Sequence, residues 1–205
     1  MGICYIVGAG ECAALPRIED GDFIIAADGG YDALLSMKIV PNVLVGDLDS
    51  IKNVPTGVEI LRYKPEKDET DMHLAATLGM ERGYREFKIY GGMGGRCDHT
   101  LANFSLLLFL AKRGCKASLV GVREDATVIF SGSETLPMAK RGKYFSVFAF
   151  GGEASSVTIK NARYEAENIT LSPEFPLGVS NEFCDTPPTV SVKDGAVLVI
   201  FEKNY

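Results

Sequence analysis

The sequence predicts an α/β protein: an N-terminal parallel-sheet α/β domain, Rossmann-like in layout, over residues 1–125, followed by a C-terminal antiparallel β-sandwich over 126–205. Three observations carry that prediction. Short, wholly apolar runs alternate with segments of helical period as far as Gly121. Strands that are apolar throughout belong in a parallel sheet covered on both faces. From Thr127 onward the helical period disappears and short alternating runs replace it, the pattern of a small antiparallel sandwich or barrel. Finally, 205 residues at 46% hydrophobic and 23% charged are an ordinary globular composition, enough for one large domain or two small ones.

The elements follow in order. Ile3 to Val7 is a continuous apolar run that ends in Gly8-Ala9-Gly10. Phe23 to Ala27 is a second, ended by Asp28-Gly29-Gly30, after which Ala33, Leu34 and Met37 keep helical spacing up to Pro41. Val43 to Val45 is a short buried strand stopped by Gly46-Asp47, and Glu59 to Leu61 is a weaker one. Met72 to Arg82 reads as a helix, with Thr70 or Asp71 as its N-cap and Gly83 at its C-terminal stop. Phe87 to Tyr90 is a strand ended by glycines, and His99 to Arg113 is a helix with Gly114 behind it. That helix is apolar on most faces, which requires burial on more than one side; a dimer interface would supply the second. Lys116 to Gly121 closes the series.

In the C-terminal part the runs are Val128 to Phe130, Tyr144 to Phe150, Val157 to Lys160, Ala162 to Ala166 and Thr189 to Lys193. Asp194-Gly195 then separates the last run from Ala196 to Phe201, a two-residue hairpin signal. There is no internal repeat, low-complexity tract or long linker.

The formal charge of −6, with no Lys/Arg stripe, argues against nucleic acid as a partner. Cys4, Cys12, Cys97, Cys115 and Cys184 form no CxxC pair and are odd in number, so neither a disulfide framework nor a zinc site is expected. Reduced thiols fit a cytoplasmic protein. The N-terminus lacks a basic leader segment, and the most apolar run, Phe104 to Ala111, is too short to span a bilayer. No membrane partner is expected.

The chemistry-bearing residues gather at strand ends and helix starts. Gly8-Ala9-Gly10-Glu11-Cys12-Ala13 matches a dinucleotide fingerprint, with Asp28 at about the distance of a ribose-binding acid. However, Pro16 falls within two turns, where it would cost about 3 kcal/mol inside a helix. A short glycine turn is the better reading, and its amides can still approach a phosphate. Asp47 and Asp49 lie two apart after a buried strand. With extended backbone they point the same way, and such a pair is costly unless a cation neutralises it. That is the reason for reading Mg²⁺; the plain alternative is a capping role for Asp49 or Ser50. Asp68 and Asp71 open a helix, where capping and the helix dipole explain them as well as metal binding does. Lys67 beside them suits a phosphate oxygen, or a solvated loop.

Gly91-Gly92-Met93-Gly94-Gly95 is hard to explain without a ligand, since four glycines in five residues carry a heavy entropy cost. Such a loop suits close backbone approach, and the helix behind it offers free N–H groups to an anion. Arg96 adds a planar fork for phosphate. Asp98 is explained equally by N-capping, and His99 by packing. Ser180-Asn181-Glu182-Phe183 reads by composition as a polar turn.

Taken in order, these motifs resemble bacterial-type thiamine pyrophosphokinases. The matching residues are Asp28-Gly29-Gly30, Gly46 to Ser50, Lys67-Asp68 with Thr70-Asp71, Gly91-Gly92 with Gly95-Arg96, Asp98-His99, Asn103, and Ser180 to Phe183. Each is weak alone, and the ordered set spans nearly the whole chain. The resemblance implies an α/β catalytic domain followed by a β-sandwich that binds thiamine, in a homodimer with sites between subunits. It implies transfer of diphosphate from ATP to the thiamine hydroxyl, giving thiamine diphosphate and AMP. In that light Asp47, Asp49 and Asp71 would hold Mg²⁺. Asp28, Gly29, Gly30, Lys67, Gly92, Gly95 and Arg96 would line the nucleotide. Ser180 and Asn181, with His99, would hold thiamine, and Asp98 joins the carboxylates as a catalytic candidate. Animal members set a tryptophan against the vitamin; this chain has no Trp, so Phe183 or a tyrosine would stack there. Two rivals remain: a Mg²⁺-dependent transferase or phosphatase for another small alcohol, and a non-catalytic nucleotide or vitamin sensor.

Overall fold

Strands β1 (Cys4–Val7), β2 (Phe23–Ala27) and β3 (Val43–Gly46) are buried along almost their whole length, as apolar strands inside a covered parallel sheet must be. They belong to a computed structural model that describes residues 2–48, 57–64, 66, 68–138 and 141–204. The chain divides into two units, Met1–Leu106 with Gly114–Val122, and Leu107–Arg113 with Arg123–Tyr205.

The first unit adds β4 (Glu59–Arg62), β5 (Glu86–Tyr90) and β6 (Lys116–Val120). The strand order is β6-β5-β1-β2-β3-β4 and every pairing is parallel. Helix α1 (Gly30–Ser36) sets Leu34 into one face of the sheet with Tyr5, Val7, Ile24, Ala26 and Leu44. Helix α2 (Asp71–Glu81) covers the other face, where Gly79 lies against the Phe87 ring and Cys4 Sγ. Thr70 caps α2, its hydroxyl oxygen accepting from His73 N–H at 3.2 Å. Helix α3 (Cys97–Ala111) follows β5. Its buried residues Asn103, Leu106, Leu107 and Leu110 recur at the 3-, 1- and 3-residue steps of a helix stripe.

Strand order reverses at β1: the chain steps outward to β2, β3 and β4 on one side, and to β5 and β6 on the other. Connections leaving neighbouring strands at such a point diverge and open a crevice at their carboxyl ends. No helix follows the Gly8–Gly10 turn; residues 11–19 have no regular structure, and Cys12, Ala13, Leu15 and Ile18 instead pack onto the sheet. The dinucleotide fingerprint is therefore a turn, as Pro16 requires.

The second unit holds two antiparallel sheets. One, in order β12-β9-β14-β7, contains β7 (Glu124–Phe130), β9 (Arg141–Ala149), β12 (Gly178–Glu182) and β14 (Ala196–Lys203). The other, β11-β10-β13-β8, contains β8 (Ser133–Thr135), β10 (Ala154–Lys160), β11 (Ala166–Leu171) and β13 (Thr189–Ser191). Ile129, Phe145, Val147, Val197, Val199 and Phe201 of the first meet Val157, Ile159, Leu171 and Val190 of the second in one core. This is a β-sandwich.

Three local expectations fail here. The runs before and after Asp194-Gly195 form no hairpin: β13 pairs with β8 and β10, while β14 pairs with β7 and β9. The turn is instead a corner between sheets. Ser155 N–H donates to Asp194 O at 2.9 Å and Ser131 N–H to Gly195 O at 3.1 Å, so strands of both sheets hold it. The second failure is the Ala162 to Ala166 run, which is a turn and a bridge; the strand is Ala166–Leu171. Ser180 to Glu182, expected as a polar turn, is part of β12.

Candidate active site

The crevice at the carboxyl ends of β1, β2, β3 and β5 is a cavity of about 520 Å³. Its floor is two glycine turns crossing each other. Gly8 N–H donates to Tyr90 O at 2.8 Å and Gly10 N–H to Gly91 O at 2.9 Å. Gly91 has φ +64, and a Cβ there would run into the Gly8 carbonyl, so the crossing requires glycine. Gly92, Met93 and Gly95 continue the wall from this loop.

Carboxylates come from separate elements. Asp28 follows β2 in the left-handed region at φ 45, its N–H bound to Val45 O at 2.8 Å. A non-glycine residue held there is strained, a condition that clusters at functional sites. Asp47 follows β3. Glu69 precedes α2, and Asp71 is its first residue. All four line the cavity, together with Thr70 and Met72. The α3 end contributes Arg96, His99, Thr100 and Asn103. Asn103 is 6% exposed, and its Nδ2 donates to Gly92 O at 2.9 Å.

Leu48 is buried at φ 68, so the chain turns directly after Asp47. The backbone at Leu48 is therefore not extended. Asp49, Ser50 and Lys67 lie outside the described residues. Gly29 and Gly30 are not among the lining residues. Gly29 is the N-cap of α1, and a Cβ at Gly30 would meet the Val7 carbonyl; Gly30 thus lets α1 start against the end of β1.

Asp98 is absent from the lining as well. Arg96 Nε donates to Asp98 Oδ1 at 3.1 Å and Arg96 Nη2 to Asp98 Oδ2 at 2.6 Å, with both side chains exposed. The Arg96 hydrogen bonds hold the Asp98 carboxyl below the usual carboxylate range, with the His99 N–H adding to the effect.

Ser180 and Asn181 belong to the second unit. Ser180 is exposed at φ 59. Asn181 is 4% exposed, and its amide is engaged by backbone: Tyr164 N–H donates to Oδ1 at 3.0 Å, and Nδ2 donates to Tyr164 O at 2.8 Å. Phe183 is buried against Phe145, ring centroids 5.0 Å apart; it is a core residue, not an open stacking platform. Tyr164, whose backbone Asn181 holds, is exposed.

The lining donors are hard oxygens, the set that suits a hard divalent cation completed by water and ligand oxygens. Four carboxylates around one cavity are costly to hold near each other without positive charge, and among the described lining residues Arg96 supplies one. The donor set therefore fits such an ion, although among the described residues no three His, Cys, Asp or Glu side chains close on a single point.

A family model described as thiamin pyrophosphokinase, catalytic domain, matches residues 16–119, and one described as thiamin pyrophosphokinase, vitamin B1 binding domain, matches residues 134–197. The chain belongs to the thiamin pyrophosphokinase family. The thiamin pyrophosphokinase catalytic match contains every lining residue from Ala27 to Asn103, and the vitamin B1 binding match contains Ser180 and Asn181. Thiamine pyrophosphokinase of Bacillus subtilis (strain 168) is 28% identical over 205 residues, covering 95% of this chain and 96% of the relative. Thiamin pyrophosphokinase 1 of Caenorhabditis elegans is 24% identical over 213 residues, 96% of this chain and 87% of the relative. Among solved structures, thiamine pyrophosphokinase from Bacillus subtilis superposes with a TM-score of 0.87 at 24% identity, covering 99% of this chain and 100% of that one. Thiamin pyrophosphokinase from Geobacillus thermodenitrificans gives 0.84 at 26% identity, with 98% of each chain covered. The thiamin pyrophosphokinase family is a family of enzymes, and this chain shares its two-part fold. Among the described residues no helix is long and apolar enough to cross a membrane, and no disulfide joins any of the five cysteines.

Glu69, Met72, Met93 and Thr100 line the cavity without having been singled out in the sequence. Glu69, between Asp68 and Thr70, has no signal of its own beyond its charge. Met72 and Thr100 looked like ordinary helix residues.

Proposed function

We propose that this chain transfers diphosphate from ATP to the hydroxyl of thiamine, giving thiamine diphosphate and AMP. The observation that carries the reading is that Asp28, Asp47 and Asp71, standing after β2, after β3 and at the start of α2, reach one cavity floored by glycines, within the span of the catalytic-domain match.

The thiamine hydroxyl oxygen attacks the β-phosphorus. The bond from that phosphorus to the α–β bridging oxygen breaks, and AMP leaves with the bridging oxygen. The hydroxyl proton passes to solvent or to a cavity carboxylate. Such transfers need alignment and charge neutralisation more than covalent help from the protein. Asp47 and Asp71, with Asp49, would hold Mg²⁺, which supplies charge neutralisation on the triphosphate. The Gly91–Gly95 loop presents backbone to the phosphates, with Gly92, Gly95, Lys67 and Arg96 along the nucleotide. Asp28, seated by Gly29 and Gly30 at the start of α1, closes the nucleotide side. Arg96 brings a guanidinium to the developing charge, and Asp98 serves it as a hydrogen-bonding partner. Ser180 and Asn181, brought from the partner subunit, would help hold thiamine together with His99. The working form is a homodimer with sites between subunits.

The test is product analysis after incubation with ATP, Mg²⁺ and thiamine. AMP and thiamine diphosphate in equal amounts support the reading. ADP, free phosphate or no turnover overturns it.

A further inference from the structure

Helix α3 carries one polar residue in its buried stripe. Leu106, Leu107 and Leu110 are apolar and enclosed, as the stripe requires. Asn103, one turn earlier on the same face, is equally enclosed. A buried amide costs stability unless its hydrogen bonds are made, and a leucine would satisfy the helix better. The departure from pattern has a partner that explains it: Nδ2 donates to the carbonyl of Gly92 at 2.9 Å. Gly92 is itself confined, since a Cβ there would come within 2.7 Å of Leu119 Cδ2 and 3.2 Å of Asn103 Nδ2. Further along, a Cβ at Gly94 would meet the exposed Glu11 side chain at 2.7 Å, while Gly95 is exposed and a Cβ there would have no neighbour within 4 Å.

We propose that Asn103 is a positioning residue, whose side-chain amide holds the Gly92 carbonyl and so sets the Gly91–Gly95 loop in the conformation that receives the nucleotide phosphates. The loop is rich in glycine and costly to order. It is tied at its start by the Gly8 and Gly10 bonds, and Asn103 ties it one residue further along. With the Gly92 carbonyl turned into the helix, the amide plane that follows is fixed, and the remaining N–H groups keep one orientation toward the cavity. An asparagine is needed because the partner is a carbonyl: the side chain must donate while remaining neutral in an enclosed site. The inference rests on the nucleotide-binding reading of this cavity, and a measurement made without ligand keeps the two separable.

The experiment compares wild type with Asn103→Leu and Asn103→Asp. Hydrogen exchange of the 91–95 amides, measured without ligand, should quicken at least about tenfold in Asn103→Leu, because a local opening loses its restraint. Affinity for ATP with Mg²⁺, by calorimetry, and kcat/KM should fall by about 10²-fold, the scale of a group displaced by an ångström. In Asn103→Asp a carboxylate faces the Gly92 oxygen and repels it, whereas the protonated acid donates to it. Its ATP affinity should therefore recover on acidification from about pH 8 to about pH 5.5, a window reached by a buried carboxyl of raised pKa. Asn103→Leu should show no such recovery. A folded Asn103→Leu with wild-type loop exchange and wild-type ATP affinity overturns the proposal, and so does a pH response shared by both variants. Should neither variant fold, the residue is only a core element and the proposal fails. Wild-type protein that shows the exchange contrast but makes no AMP overturns the diphosphate-transfer reading and leaves the positioning role standing.

Discussion

Arg96 and Asp98, two residues apart at the start of α3, grip each other in a fork of two hydrogen bonds, Nε to Oδ1 at 3.1 Å and Nη2 to Oδ2 at 2.6 Å. Arg96 faces the cavity and Asp98 does not. The carboxylate therefore meets the cavity only through the guanidinium to which it is bonded.

The pair has a signature in pH. The Arg96 hydrogen bonds lower the Asp98 pKa below its unfolded value. A lowered carboxyl pKa means that the interaction is present above the unfolded pKa, near 3.9, and is lost as pH falls through the folded one. Carbon-detected NMR titration should find the Asp98 midpoint below the ordinary range, and Arg96→Ala should raise it. A midpoint that Arg96→Ala leaves in place counts against the fork in solution.

Asp47→Asn and Asp71→Asn should keep the fold and lower turnover by at least about 10²-fold, the scale of a key electrostatic group. Each should also raise the Mg²⁺ concentration needed for half-maximal rate. Steady-state kinetics with a Mg²⁺ titration decides this; near-normal turnover of both variants at saturating Mg²⁺ removes the metal assignment.

Two glycines of one loop should behave oppositely. Gly91→Ala places a Cβ against the Gly8 carbonyl at φ +64 and should destabilise the fold by about 1–3 kcal/mol. Gly95→Ala meets open space and should change stability by no more than about 0.5 kcal/mol, while raising KM for ATP. Urea denaturation of the two variants, followed by kinetics, makes the comparison.

Asn181 and Ser180 are neighbours with different duties. Asn181→Ala strips the Tyr164 backbone of two partners inside a buried site and should cost about 1–3 kcal/mol in urea denaturation. Ser180→Ala, at an exposed position, should leave the unfolding midpoint almost unchanged and raise KM for thiamine. Equal unfolding midpoints for the two variants would show that the Asn181 bonds carry no weight.

Much of this molecule is legible along the chain. Apolar strands such as Cys4–Val7 and Val43–Gly46 declare a covered sheet because they leave no polar face for water. Pro16 makes a dinucleotide-type helix costly, and the turn that replaces it follows from backbone chemistry alone. Thr70 and the glycines of 91–95 announce a cap and a loop of unusual backbone, and that loop lines the cavity. The same local reasoning misreads Asp194-Gly195, because turn chemistry specifies a reversal and not which sheet receives each arm. Val190 and Val197 enter one core from opposite sheets, and that demand overrides the hairpin.

By itself, then, the sequence determined where the strands end and which acids and glycines stand at those ends, since periodicity and backbone preference act over a few residues. The tertiary structure alone decided that Asp28, Asp47, Glu69 and Asp71 share one cavity, that Asn103 reaches Gly92, and that Phe183 is spent in the core. Those are distances between elements far apart in the chain, set by strand order at β1 and by packing, and no local pattern encodes them.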